Sequence, residues 1–244
     1  MTSMTRVIEA EFLKVRTVRN YQIAVAVGVL AVAVMAAGMA VSAGRDAPIW
    51  TAQPVALPLE YFAYVMMILG ILMVTTDASS GAAAVMATLV PDRWRIDVSK
   101  YIVIALLSAL TGAVSAVLVF VADWIGLGIG LDAVTTSEAL QTYLTGVGAI
   151  VLGGVLGVAL GTLLRSTSAA LSLLLLWSFL VETVLVFSLP EEYAAYLPFK
   201  TIGGSRDLLD ELGPWEGLLI FTGFIVVLTV VSTVVQRRRD SVVP

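Results

Sequence analysis

The chain has 244 residues, of which 59% are hydrophobic and 13% charged, with a formal net charge of -4 at pH 7. Water-soluble domains hold about 45–50% apolar and about 25% charged residues, so this composition belongs to a membrane protein. It contains neither His nor Cys. That excludes Ser-His-Asp and Cys-His nucleophiles, zinc and haem ligand sets, imidazole relays and disulfides, and the acidic balance gives no basis for binding nucleic acid.

In chain order, residues 5–19 read as an interfacial helix ahead of the first apolar run. Ile8, Phe12 and Val15 recur on one helical face, and Glu11 stands three residues before Lys14, with Arg16 just beyond. Six membrane spans follow, at 21–43, 57–76, 101–123, 139–164, 167–189 and 217–236. The first is about 35 Å long at the helical rise and lies behind a charged helix, so a cleaved signal peptide is not expected. The whole chain, 1–244, reads as a single all-α transmembrane domain.

Orientation follows from the basic residues. Arg6, Lys14, Arg16, Arg19, Arg93, Arg95, Lys100, Arg165, Arg237, Arg238 and Arg239 fall on one side of this topology, against Arg45, Lys200 and Arg206 on the other. The positive-inside rule then places both termini in the cytoplasm. The longest outer loop, 190–214, carries Tyr193, Tyr196, Leu197 and Phe199 among its acids. Such a loop is expected to fold back onto the interface.

Between the second and third spans, Asp77, Ser79 or Ser80 suits a helix cap, 82–89 holds strong helix formers, and Pro91 stops the helix before Arg93. Val85, Met86 and Leu89 would then present an apolar face at the cytoplasmic side. A partner protein covering that face and a simple bend of the second span at Gly81 both fit. Small residues recur at four-residue spacing in Gly153, Gly157 and Gly161 and in Ala105, Ala109 and Ala113. Such ridges suit close packing within the bundle better than a specific dimer seam.

Glu182 is the one carboxylate well inside a span, about 22 Å along it from Thr167. A buried acid there implies a role or a partner: a gate, a contact for a cation, a proton site, or a structural acid hydrated or bonded to Tyr or Ser. Asp123 closes the third span near the same level. No basic residue is expected within the spans, hence no intramembrane ion pair. No Gly-x-x-x-x-Gly-Lys-Ser/Thr loop occurs, so any energised work takes its ATP hydrolysis from another chain, and no catalytic, metal or cofactor site is expected in this one.

The pattern resembles the permease subunits of bacterial ABC transporters of the type-2 exporter class, over nearly the whole chain. Glu9-Ala-Glu11-Phe-Leu-Lys14-Val-Arg16 looks like the family's Glu-x-x-Lys-x-Arg opening on its connecting helix. Gly81, then Pro91, Arg93 and Lys100, looks like its stretch after the second span. The resemblance implies a coupling helix at 79–90 that docks on the ATPase through Gly81, Val85, Met86, Leu89, Pro91 and Arg93. Glu182 in Trp177-Ser-Phe-Leu-Val-Glu182 looks like an acid of the family's fifth span, and Tyr196-Leu-Pro198-Phe like its outer re-entrant hairpin. Many relatives carry an Arg and a Gly-Thr pair where this chain has Ser79-Ser80-Gly81-Ala82, which implies a less charged ATPase contact.

By the same resemblance, the chain works in the bacterial plasma membrane beside a second permease chain, a homodimer in preference to a heterodimer. Two copies of an ATPase subunit bind the ATP and Mg, and an apolar or amphipathic cargo (lipid, peptide or drug-like) leaves through a path where Glu182 and Asp123 are gate candidates. The alternative from another class is a non-transporting immunity or sensory protein that binds a lipid or peptide in the membrane.

Overall fold

The computed structural model describes residues 4–43, 53–81, 93–127, 137–194, 196–201 and 213–240. Every regular element among them is helical: α1 (Met4–Thr17), α2 (Arg19–Ala43), α3 (Gln53–Ser79), α4 (Arg93–Leu127), α5 (Ser137–Leu164), α6 (Thr167–Ser188), the one-turn α7 (Glu191–Ala194) and α8 (Pro214–Asp240). Six of these, α2 to α6 and α8, are long and apolar enough to cross a membrane. The start of α4 and the end of α8 meet, since Gln236 Nε2 donates to both Asp97 carboxylate oxygens at 2.9–3.0 Å. With α1 packed on α4, this defines a terminal end of the bundle, opposite a far end.

α3 and α5 form the centre. α5 packs against α3, α4, α6 and α8, while α3 also takes α2, α4 and α6. Lipid offers no hydrophobic drive for helices to associate, so contact depends on how closely the backbones approach. Here glycine sets the distance: a Cβ on Gly157 would lie 2.0 Å from the Met67 carbonyl oxygen, and one on Gly70 would lie 2.4 Å from that of Gly154. Gly153 and Gly161 meet the Ala63 and Ile71 carbonyls on the same seam.

The alanine ridge of α4 does not behave likewise. Ala105 and Ala109 are half-buried and Ala113 is exposed, whereas Ser108, Thr111, Ser115 and Asp123 face the interior. Polar oxygens cost more against lipid than methyl groups do, so the hydroxyls and the acid take the inner face.

Two further expectations are corrected at the terminal end. The buried stripe of α1 is Val7, Glu11 and Val15, with Phe12 exposed, because Glu11 has a cation to meet inside. α4 begins at Arg93, ahead of the uncharged run, and α3 continues to Ser79 past Asp77. Lys100 therefore lies inside α4, one residue ahead of the expected 101–123 span, in helix and not in a loop before it.

The link between α5 and α6 is a tight turn. Arg165 takes the left-handed conformation (φ 52°), and Ser166 caps α6 by accepting the Ala169 N–H at 3.4 Å. α6 then widens into a π turn over Leu176–Val181 before resuming as α-helix at Glu182.

Candidate functional site

Four charged side chains from three elements converge at the terminal end. Lys100 Nζ, on α4, donates to Glu11 Oε1 of α1 at 2.9 Å and to Asp77 Oδ2 of α3. Lys14 Nζ, on α1, donates to the other Asp77 oxygen. Glu11 and Lys100 are 1% and 5% exposed, so neither can fall back on water for its charge. Two carboxylates against two ammoniums balance to zero, the condition under which buried ions are tolerated. The Glu11–Lys14 pairing expected along α1 is thus replaced by contacts across elements: Glu11 goes to Lys100, and Lys14 to Asp77. Arg16 lies exposed on the opposite face.

The joint brackets one segment. Asp77 stands just before the end of α3, Lys100 lies seven residues into α4, and residues 82–92 run between those helices. Gly81, the last described residue before them, has φ +74°, a left-handed turn that suits glycine. The expected contact residues Val85, Met86, Leu89 and Pro91 lie outside the described residues, and so does the Arg93 side chain, although Arg93 itself starts α4. Next to Arg93, Trp94 is exposed with the Arg95 guanidinium 5.7 Å from its ring centroid. Such aromatic–cation pairs suit the membrane interface.

At the far end the Glu182 carboxylate is held by a different device. Glu182 is fully buried and accepts three N–H groups: the Trp177 indole at 3.2 Å, the Phe199 backbone at 3.1 Å from both oxygens, and the Lys200 backbone at 3.1 Å. The π turn makes the first possible. Its i→i+5 bonding carries the Glu182 N–H to the Trp177 carbonyl, and so brings onto one face two residues that an α-helix would splay apart. The partners are therefore an indole and backbone amides, where the sequence pointed to Tyr or Ser side chains.

These bonds pull the segment 196–201 inward. Phe199 is buried, with Tyr64 and Phe221 rings each centred 6.0 Å away, and Tyr64 also stacks on Phe179 at 5.4 Å. Glu182 and Phe221 both lie about 9–10 Å inside the far ends of α6 and α8. Asp123 is separate from this group: it is buried near the end of α4 and takes the Tyr143 hydroxyl at 3.2 Å. The two gate candidates thus sit in different helix contacts, Asp123 between α4 and α5, Glu182 between α6 and the 199–200 turn.

No known family model matches the chain, and no curated protein does. Its functional reading therefore rests on its own residues. Among the described residues no group of three or more acidic side chains is placed to hold a metal ion.

Sequence reasoning missed Lys100, which it took for a topology-setting flank. The signal was present all the same: Glu11 and Lys14 on one element and Asp77 and Lys100 on two others each stand close to an apolar run, with signs that cancel.

Proposed function

We propose that this chain is the membrane-spanning subunit of an ATP-driven exporter of the type-2 ABC class. It works with a separate ATPase and moves an apolar or amphipathic cargo out of the cytoplasm or the inner leaflet. The observation that carries the reading is the four-charge joint at the terminal end. A coupling segment needs a rigid seat, because a push on a short helix does nothing if the spans beside it yield separately. Residues 82–92 are flanked by α3 and α4, and both are tied through Asp77 and Lys100 to α1. Moving any one of the three out of register would strand a buried charge, at a cost of about 3–5 kcal/mol.

The positive-inside rule puts this joint at the cytoplasmic face, where the ATPase would dock. The opposite end then carries the Glu182 clasp, and the depth of Phe199 supports the reading of 190–214 as a re-entrant outer hairpin. In this scheme Glu182 is a positioning residue for the hairpin, and opening at the outer side requires Phe199 and Lys200 to leave it.

The test is purification of the tagged chain from its native membrane in mild detergent. An ATP-hydrolysing subunit is expected in equal amount, and Met86→Glu is expected to lose it while the chain stays inserted. A chain that elutes with no nucleotide-hydrolysing partner, at any detergent strength, would overturn the assignment.

A further inference from the structure

α6 changes character along its length. Its first part, Thr167–Leu175, packs on α3 and α5, whereas its last part, Glu182–Ser188, rests on the turn before it and the short α7 after it. The π turn, Leu176–Val181, lies between the two. Helix packing therefore fixes the rotation of the first part about the axis and leaves that of the last part to other contacts. The contacts it has are those of the Glu182 carboxylate, with the Trp177 indole and the Phe199 and Lys200 amides.

A π turn is a rare, local departure from the α-helix, and Leu-Trp-Ser-Phe-Leu-Val includes no Gly or Pro to force one. Its effect is to absorb one residue. Everything after it stands about 100° and about 1.5 Å behind the place it would hold in an unbroken α-helix. In the widened form the buried place facing residues 199 and 200 falls to Glu182. In the unbroken form the same place falls to apolar Val181, and Glu182 moves to where half-buried Thr183 now stands. The carboxylate bonds are thus what the widened form gains and the unbroken form forgoes. Once they are lost, the Phe199 and Lys200 amides have no acceptor at that place, and nothing there holds the 199–200 turn.

We infer that Glu182–Ser188 is a rotary segment with two registers, one widened and clasped to the 199–200 turn, the other unbroken and released from it. The change is discrete, because the backbone bonds run either five residues back or four. It moves the segment by one residue without disturbing the packing of Thr167–Leu175. The device lies in this chain's own backbone and stands or falls independently of any ATPase partner.

The chain has no Cys, so single cysteines report without background. Thr183→Cys, Val184→Cys, Leu185→Cys, Val186→Cys and Phe187→Cys are made one at a time in the full chain, nitroxide-labelled and placed in phosphatidylcholine vesicles. Collision with dissolved oxygen is then read by electron paramagnetic resonance. Val184 and Phe187 are 54% and 86% exposed, and Thr183, Leu185 and Val186 are half-buried, so accessibility should peak at 184 and 187. With Glu182→Leu each position takes its successor's place: 183 should exceed 184, and 186 should rise to the level of 187. Deleting exposed Leu180 removes the residue that the turn absorbs and makes Trp177 and Glu182 an i→i+4 pair. In that background Glu182→Leu should leave the peaks at 184 and 187. Trp177→Phe supplies a second reading if Glu182→Leu fails to fold; it removes one of three donors, and accessibility at 183 and 186 should rise. Peaks that stay at 184 and 187 in both substitutions would overturn the inference. So would a shift that persists after the deletion, or a loss of periodicity with Glu182→Leu, since the segment would then unwind instead of turning.

Discussion

The two ends of this bundle bury carboxylates by opposite means. At the terminal end Glu11 and Asp77 are met by the side-chain ammoniums of Lys100 and Lys14. At the far end Glu182 is met by an indole and two backbone amides. The first arrangement is a set of whole charges that sum to zero, so each member depends on all the others. The second spreads one carboxylate over dipoles that lie on a single short turn and on its own helix. An ionic joint resists separation abruptly, whereas a clasp on one loop can release by moving that loop. That difference would suit the proposed exporter, with a rigid seat at the cytoplasmic end and an outer end that opens.

Removing a joint cation should have the largest effect. Lys100→Met leaves Glu11 and Asp77 buried with only Lys14 nearby, and a loss of about 3–5 kcal/mol is expected in reversible unfolding from mixed micelles. A loss below about 1 kcal/mol would mean the terminal end is hydrated and the contrast between the ends is false.

At the far end, Glu182→Leu strands two buried backbone donors and an indole, for an expected loss of about 1–3 kcal/mol by the same assay. Glu182→Gln keeps one acceptor oxygen and should lose less, about 1 kcal/mol. If Gln proves as damaging as Leu, the charge at Glu182 matters in itself and the clasp is closer in kind to the joint. Protease access at the 199–200 turn provides the local readout, expected to rise for Leu and to change little for Gln.

The α3–α5 seam is the scaffold on which both ends hang. Gly157→Ala drives a methyl against the Met67 carbonyl and should cost about 1–3 kcal/mol, with joint and clasp loosening together. Loosening of one alone would show that the ends are not carried by a shared core. The smallest effect belongs to Arg16→Ala. Arg16 is exposed, so stability should stay within about 0.5 kcal/mol although it shares a motif with Glu11 and Lys14.

The spans were legible because length and hydropathy decide them, and the Gly153–Gly157–Gly161 ridge was legible because only packing in lipid rewards that spacing. The alanine ridge misled because Ala is tolerated equally on lipid-facing and buried surfaces, and the hydroxyls of α4 outcompeted it for the interior. The joint was hidden because Asp77 and Lys100 sit at span edges, where positive-inside flanks also sit, while Glu11 and Lys14 share a separate helix ahead of the first span. Only the three-dimensional meeting of α1, α3 and α4 separates a clustered charge from a solvated one. Glu182 stood out in the sequence, but its partners did not. The π turn has no sequence signature, and backbone amides donated from residues 199 and 200 leave no mark on side-chain pattern.

The central claim is that a charge-balanced joint locks α1 to the two helices that flank residues 82–92. A double-mutant cycle on Glu11 and Lys100, read by unfolding in mixed micelles, tests it most directly. Glu11→Gln and Lys100→Met are each expected to destabilise strongly, and the double variant should lose less than the sum of the two by a coupling of about 1–3 kcal/mol. A double variant as damaging as the sum of the single changes would contradict the joint, and with it the seat proposed for an ATPase.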